Sequence, residues 1–344
     1  MSGSILDEAY ERLQDTGPEF EGWLSNHAPM AAEALVRHGS GGLVHSWLDN
    51  YTGLLEERPR ARWPISSDGW REPLGDPLRT GDWLDFFARA LADEPWQLVL
   101  ARWWPRLLPG IAAGATHGVI RVGHAVRALR EVETAPRVAE LAHALAYWAA
   151  RWQPLAPPGA GPYPVTDARS TLDAVPQVPD QRFGIRARLA QLAEMPEWSA
   201  AAGAVPGDPG GEVPARLAAI VDAAITRHGT HGYANPVMLV HAATAPNAVL
   251  SALPVLPRPL WQPSLAAAWA ATAALTAAYT PTQGRPTSPA YAGVAVEQLW
   301  DLAVRSADVH AIKFADAAID AFTRTGDASV LATAAGSVAE IAAD

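Results

Sequence analysis

The chain has 344 residues, 49% of them hydrophobic, and 14 tryptophans, so it can bury a large core. Its net charge of −10 and its dispersed arginines argue against a nucleic-acid partner. It contains no cysteine, so it forms no disulfide, and any metal must be bound by nitrogen and oxygen atoms.

No targeting or membrane segment is predicted. The first residues form neither a basic stretch nor an apolar one, as a signal peptide would require. The most apolar run, residues 265–278, contains threonine and is too short to cross a bilayer. We therefore expect a soluble, cytoplasmic protein with no membrane partner.

Almost every periodic segment has the spacing of an amphipathic helix, and alternating strand patterns are missing, which predicts a mainly α protein. Asn26 and Thr116 are predicted to cap the helices that follow them. In chain order, helices are predicted within residues 4–14, 26–39, 43–55, 83–91, 96–104, 116–130, 135–152, 215–227, 236–243, 264–279, 294–305, 309–324 and 328–342.

Long loops rich in proline and glycine interrupt this pattern at residues 57–80, 153–180 and 203–214. We predict a single helical domain over residues 1–344, with its helices packed around a central buried metal site. Such a domain can consist of two halves, residues 1–152 and 181–344, joined by a linker at residues 153–180. A helical solenoid is a weaker alternative, because no fixed-period repeat is found.

Lys313 is the only lysine among 26 basic residues. A site that keeps lysine in such an arginine-biased chain needs an amine that can lose its proton or be modified. His310 lies three residues earlier, so the two side chains share one face of a predicted helix. That face is apolar, where an unpaired ammonium is costly. The alternative is a lysine retained by chance that reaches the surface.

The ten histidines include two at predicted helix starts, His27 and His117, and one in an apolar helix, His241. A single histidine on an apolar face is usually a hydrogen-bonded core residue. Several together, with an isolated lysine and no cysteine, favour a nitrogen-rich site for Fe, Cu, Ni or Zn. No pair has the spacing of the His-Glu-x-x-His motif.

The helix predicted from residue 116 carries His117, Arg121 and His124 on one stripe. The two histidines are about 10.5 Å apart along the helix axis, so they do not bind the same ion. One is therefore predicted to bind metal, and the other to support a metal ligand or to contact substrate. Arg121 between them can hold an anionic phenolate or carboxylate, or form an ordinary ion pair with a buried acid.

Three motifs together resemble the questin oxidase-like family, in its order, from about residue 20 to 325. They are Asn26-His27-Ala28-Pro29-Met30 with Glu33-Ala34-Leu35, Thr116-His117-Gly118 continuing through Ile120-Arg121, His124-Ala125 and Arg127-Ala128-Leu129, and His310-Ala311-Ile312-Lys313. Members of that family oxidise anthraquinone-type aromatic polyketides in secondary metabolism. They open a ring by oxygen insertion or carbon–carbon cleavage, with a Baeyer–Villiger-like outcome.

The resemblance implies a mononuclear non-haem Fe(II) oxygenase. Its ligands here would be His27, His117, His241 and His310, with a CO2-derived carbamate on Lys313. Five protein ligands leave one position for O2 or water, so the substrate stays outside the metal's ligands.

If the resemblance holds, Arg121 and His124 are catalytic residues that orient the polyketide, and tryptophans stack against its rings. No Gly-x-Gly-x-x-Gly motif follows a strand, so any NADPH reductant is external. The expected partners are the polyketide and O2, and the chain can form a homo-oligomer.

Two other functions compete with this one. The first is a zinc hydrolase with a carboxylated lysine, although such sites are usually binuclear and need additional aspartates. The second is a non-catalytic helical protein whose histidines line a pocket for an aromatic ligand.

Overall fold

The computed structural model of the protein describes residues 4–159, 161, 163 and 166–343. These residues fold mainly into α-helices, which confirms the predicted fold class. Alanine and leucine, which favour helices, recur through most of them. The named strands of this part of the chain are β1 (Glu19–Phe20) and β2 (Leu24–Ser25), an antiparallel hairpin.

The first of two compact units contains the chain up to Pro154 together with Ser251–Leu260. Helix α7 is its centre, packed against α4, α6, α1 and α5. Gly118 allows α6 to approach α7 closely, because a Cβ there would lie 2.8 Å from Trp148. The helices are α1 (Ile5–Leu13), α2 (Ala28–Arg37), α3 (Val44–Tyr51), α4 (Thr80–Asp93), α5 (Trp96–Leu107), α6 (His117–Glu131) and α7 (Ala135–Ala150).

The second unit contains Leu155–Leu250 and Trp261–Asp344. Helix α16, which carries Lys313, packs against α15, α17 and α11, and α11 also packs against α14. The helices are α8 (Ala168–Asp173), α9 (Ile185–Ala190), α10 (Trp198–Gly203), α11 (Val213–His231), α12 (Pro236–Leu239), α13 (His241–Ala252, whose last two residues belong to the first unit), α14 (Trp261–Tyr279), α15 (Val296–Ser306), α16 (Val309–Thr325) and α17 (Ala328–Ile341).

Several local predictions were wrong. The hairpin and the short helices α8, α9 and α10 were not predicted, and α8 lies inside the predicted linker. Helices this short have too few turns to display a clear period. Helix α13 continues to Ala252, with Pro246 inside it, whereas the predicted helix ended at residue 243. The prediction of one domain with two halves stays a prediction.

One helical run, Pro236–Val255, is long and apolar enough to cross a membrane by length and composition alone. However, 78% of its most apolar window is buried inside the protein. It therefore packs as the core helix of a soluble protein does, and it is not the run that the sequence had singled out.

Candidate metal centre

Two imidazole rings of the first unit face each other through their Nε2 atoms. The Nε2 atoms of His27 and His117 are 2.7 Å apart, and the ring planes are nearly perpendicular at 87°. The Nδ1 atom of His27 lies 2.6 Å from the carbonyl oxygen of Ser25, and that of His117 lies 2.5 Å from the carbonyl oxygen of Gly114. A carbonyl only accepts hydrogen bonds, so each Nδ1 carries the proton of its neutral ring. Both Nε2 lone pairs then point at one place, as in a pair of metal ligands.

The chain around His27 is held on several sides. It follows β2, and its backbone N–H donates to the hydroxyl of Tyr51 at 3.1 Å. Asn26 accepts a hydrogen bond from the N–H of Ala28 and donates one to the carbonyl of Gly17. The prediction that Asn26 caps α2 is wrong, because His27 is the residue before the first helical turn and α2 has no cap bond from the His27 side chain.

His117 begins α6 directly after a strained turn. Gly114, Ala115 and Thr116 all have positive φ, at 51°, 56° and 68°. This turn aims the Gly114 carbonyl at the His117 ring. The predicted side-chain cap by Thr116 is wrong: its hydroxyl makes no cap bond and has no hydrogen-bond partner among the described residues. The left-handed backbone at Thr116 explains this, because a capping residue normally has extended backbone.

The second unit holds the other predicted donors. His241 Nδ1 lies 3.1 Å from the carbonyl oxygen of Met238, and its Nε2 lies 2.9 Å from Lys313 Nζ. The His241 and His310 ring centroids are 5.6 Å apart. His310 Nδ1 lies 3.6 Å from Asp308 Oδ1, an oxygen that also accepts the backbone N–H groups of His310 and Ala311 in the first turn of α16. Metal-binding histidines usually have such a carbonyl or carboxylate beside the second ring nitrogen.

One nitrogen from each of His27, His117, His241 and His310 lies within 4.8 Å of the other three. The first three residues are buried and His310 is mostly buried. The four histidines named from the sequence are therefore close enough to hold one metal ion, and this part of the prediction is confirmed. His124 does not belong to this group.

Lys313 is fully buried, with only 2% of its surface exposed. Burial lowers the pKa of its amine well below the usual value, against the opposing charge of Asp308. Burial, followed by repulsion from Lys313, lowers the pKa of His310 to about 4. His310 is thus neutral at pH 7, the form in which imidazole binds metal, and the lowered pKa of Lys313 favours the neutral amine that reacts with CO2.

Arg121 and His124 are each engaged with a buried acid. The Arg121 guanidinium forms two hydrogen bonds with Glu140, at 2.5 and 2.8 Å, and both residues are buried. His124 Nδ1 lies 2.7 Å from Glu33, which also binds Arg127. Arg121 therefore takes the ion-pair alternative that the sequence left open. A role in substrate binding for either residue stays a prediction.

The sequence predicted no role for Glu33 or Glu140. Each is a single acid within an apolar stretch of helix, Ala31–Leu35 for Glu33 and 138–142 for Glu140. A carboxylate in such a stretch requires a buried partner, and that requirement was the available signal.

No family model matches the chain, and no curated protein matches it significantly. The family resemblance of the three motifs therefore remains an expectation.

Proposed function

We propose that the protein is a mononuclear non-haem iron oxygenase that opens a ring of an anthraquinone-type aromatic polyketide. The observation that carries the proposal is the group of four imidazoles. Their nitrogens lie within 4.8 Å of one another, and the Nε2 atoms of His27 and His117 meet at 2.7 Å. Bound Fe(II) would supply the activation of O2 that ring opening requires.

The donor set fits a single ion of this kind. The Nδ1 contacts fix His27, His117 and His241 in the tautomer whose Nε2 carries no proton, and Asp308 stands beside Nδ1 of His310. Lys313 would complete the set as a carbamate. Its neutral amine would attack CO2, forming the N–C bond, moving one C=O electron pair to oxygen and releasing a proton. The resulting oxygen anion would offset part of the metal's charge.

The same donor set disfavours the zinc hydrolase. Carbamate-bridged hydrolases are usually binuclear, and a second ion needs carboxylates. The group of candidate donors among the described residues consists of histidines alone. Four imidazoles and an oxygen donor also exceed the four ligands that zinc usually takes from protein.

The localisation, partners and oligomeric state follow from this proposal. The protein would work in the cytoplasm with O2, the polyketide and external NADPH as its small-molecule partners. The protein can function as a homo-oligomer.

Metal analysis and O2 uptake test the proposal directly. Protein expressed with iron should contain about one Fe per chain. It should consume O2 when given a hydroxyanthraquinone and NADPH. His310→Ala should lose both properties, whereas His45→Ala should keep them, because His45 lies on the surface beside Glu8.

Three outcomes would count against the iron oxygenase. Zinc in place of iron, with hydrolysis of an ester or amide, would favour the hydrolase. Tight polyketide binding by metal-free protein without O2 consumption would favour the binding protein. Iron retained in full by His310→Ala would remove His310 from the centre.

A further inference from the structure

The first unit contains a second candidate site, a cavity of about 450 Å³ between α4 and α7. Its walls are apolar, formed by Leu91 and Ala92 on α4 and by Val138, Ala139 and Ala142 on α7. None of the four clustered histidines lines it. Its volume lies in the range of small-molecule pockets.

Three polar side chains at this cavity have no side-chain partner among the described residues. His143 lines the cavity with 4% of its surface exposed. Its ring makes no hydrogen bond with any described residue. Gln14 and Arg58 also line the cavity, and their side chains have no hydrogen-bond or ion-pair partner in the described part of the chain. A buried polar group in a protein is nearly always hydrogen-bonded, so the buried ring of His143 indicates a ligand, and the half-buried Gln14 and Arg58 side chains line the same space.

The charges at the cavity indicate what the ligand carries. Arg58 supplies a cation that forms no ion pair with any residue that the structure describes. Burial, followed by the charges of Arg121 and Arg58, holds the pKa of His143 well below its usual value, so the ring is neutral. A neutral imidazole offers one N–H donor, and Gln14 offers two more. The one acid at the cavity, Glu133, is exposed and accepts a hydrogen bond from Trp96 at 3.0 Å.

We propose that this cavity binds a monocarboxylate with an apolar body, with Arg58 and His143 holding the carboxylate. A single guanidinium suits one carboxylate, and a group with two negative charges would need more cations than the cavity has. The alanine, leucine and valine walls bury the apolar body. The site does not rest on the metal centre or on its function.

Calorimetry with octanoate and 1-octanol tests this, using the protein as isolated with its metal. The two probes have the same chain length and differ in the charged group. Octanoate should bind at one site per chain. Octanol should bind about tenfold more weakly, because it lacks the charged carboxylate that accepts hydrogen bonds in the site. Arg58→Gln should weaken octanoate about tenfold and leave octanol unchanged.

Two further variants locate the site. Arg60→Gln is the matched control, since Arg60 is exposed and does not line the cavity, and it should leave both probes unaffected. Ala139→Phe should abolish binding of both probes by filling the cavity, with an unchanged helical circular-dichroism spectrum. The proposal is overturned if octanoate shows no saturable binding, if octanol binds as tightly, if Arg60→Gln weakens octanoate as much as Arg58→Gln, or if folded Ala139→Phe still binds.

Discussion

The Nε2 atoms of His27 and His117 lie 2.7 Å apart while a backbone carbonyl accepts from each Nδ1. Neutral rings in this arrangement place two acceptors against each other with no proton between them, which is unfavourable. A cation satisfies both lone pairs at once. The geometry of this pair is therefore itself an argument for a bound metal.

Metal should accordingly stabilise the wild-type protein and not the ligand variants. At a free metal concentration of 1,000 times Kd, binding adds about 4 kcal/mol to the free energy of unfolding. Thermal melts with and without Fe(II), under anaerobic conditions, measure this gain. His117→Ala should lose most of it and His45→Ala should keep it. A full gain in His117→Ala would show that the metal binds elsewhere.

Lys313 makes carbamate formation unusually easy to detect, because it is the only lysine. Protein incubated with 13C-bicarbonate should give a carbamate carbon signal that Lys313→Arg lacks. The N-terminal amine provides an internal reference, since it is present in both proteins. Preparation without CO2 should lower the iron content of the wild type, and bicarbonate should restore it. Iron binding that is indifferent to CO2 would contradict the role of Lys313 as a ligand.

The sequence predicted much of the site because its signals are local. The ligand set was predicted through three short motifs that resemble the questin oxidase-like family and contain His27, His117 and the His310–Lys313 pair, and the single lysine is visible in the composition. His241 was the weakest of these residues, since only an apolar helix surrounds it in the sequence. The long amphipathic helices were also found, because several turns repeat the same period.

The rest depends on contacts between residues distant in the chain. The pairing of Arg121 with Glu140 and of His124 with Glu33 is set by how helices pack. The carbonyl beside His117 depends on the positive φ angles of residues 114–116, of which only glycine gives a hint in the sequence. The Thr116 cap was mispredicted for the same reason.

Glu33 should control the acid stability of the first unit. Burial alone would raise its pKa, but the charge of Arg127 and hydrogen bonds from His124 and Arg127 lower it to about 2. A depressed carboxyl pKa stabilises the fold above the unfolded value of 4.5. That contribution, about 3 kcal/mol, is lost as the pH falls from about 4.5 to 2.

Glu33→Gln should therefore lower stability at pH 7 and flatten its dependence on pH in that window. Urea unfolding at a series of pH values measures both effects. Glu11→Gln, an exposed change on α1 of the same unit, should behave as the wild type. If the free energy of unfolding of Glu33→Gln falls at acidic pH as it does in the wild type, other carboxyl groups cause this pH dependence.

The buried Arg121–Glu140 pair should act as a unit. Arg121→Met alone leaves Glu140 buried without its partner and should cost about 3–5 kcal/mol, whereas Arg121→Met with Glu140→Leu should recover most of that loss. Arg102→Gln, which breaks an exposed pair with Glu94, should have little effect on the free energy of unfolding. Denaturant unfolding gives these values. The kinetics of the double variant separate two roles of Arg121. A KM for polyketide that rises while kcat stays unchanged would assign Arg121 to substrate binding. An unchanged KM would leave Arg121 with a structural role.

Gly114 should control metal affinity without touching the metal. Its carbonyl orients His117, its φ of 51° is unfavourable for other residues, and a Cβ there would collide with the hydroxyl of Tyr147. Gly114→Ala must move this turn, and the carbonyl with it. Loss of such an orienting partner typically weakens metal binding about 10–100-fold.

Competition with a chelator, followed by metal analysis of the protein, measures that affinity. Gly42→Ala is the matched control, because it introduces the same methyl group where no atom lies within 4 Å. It should leave metal affinity unchanged. If Gly114→Ala folds and binds iron as tightly as the wild type, the carbonyl does not orient His117. The tautomer argument for the centre would then have to rest on His27 and His241 alone.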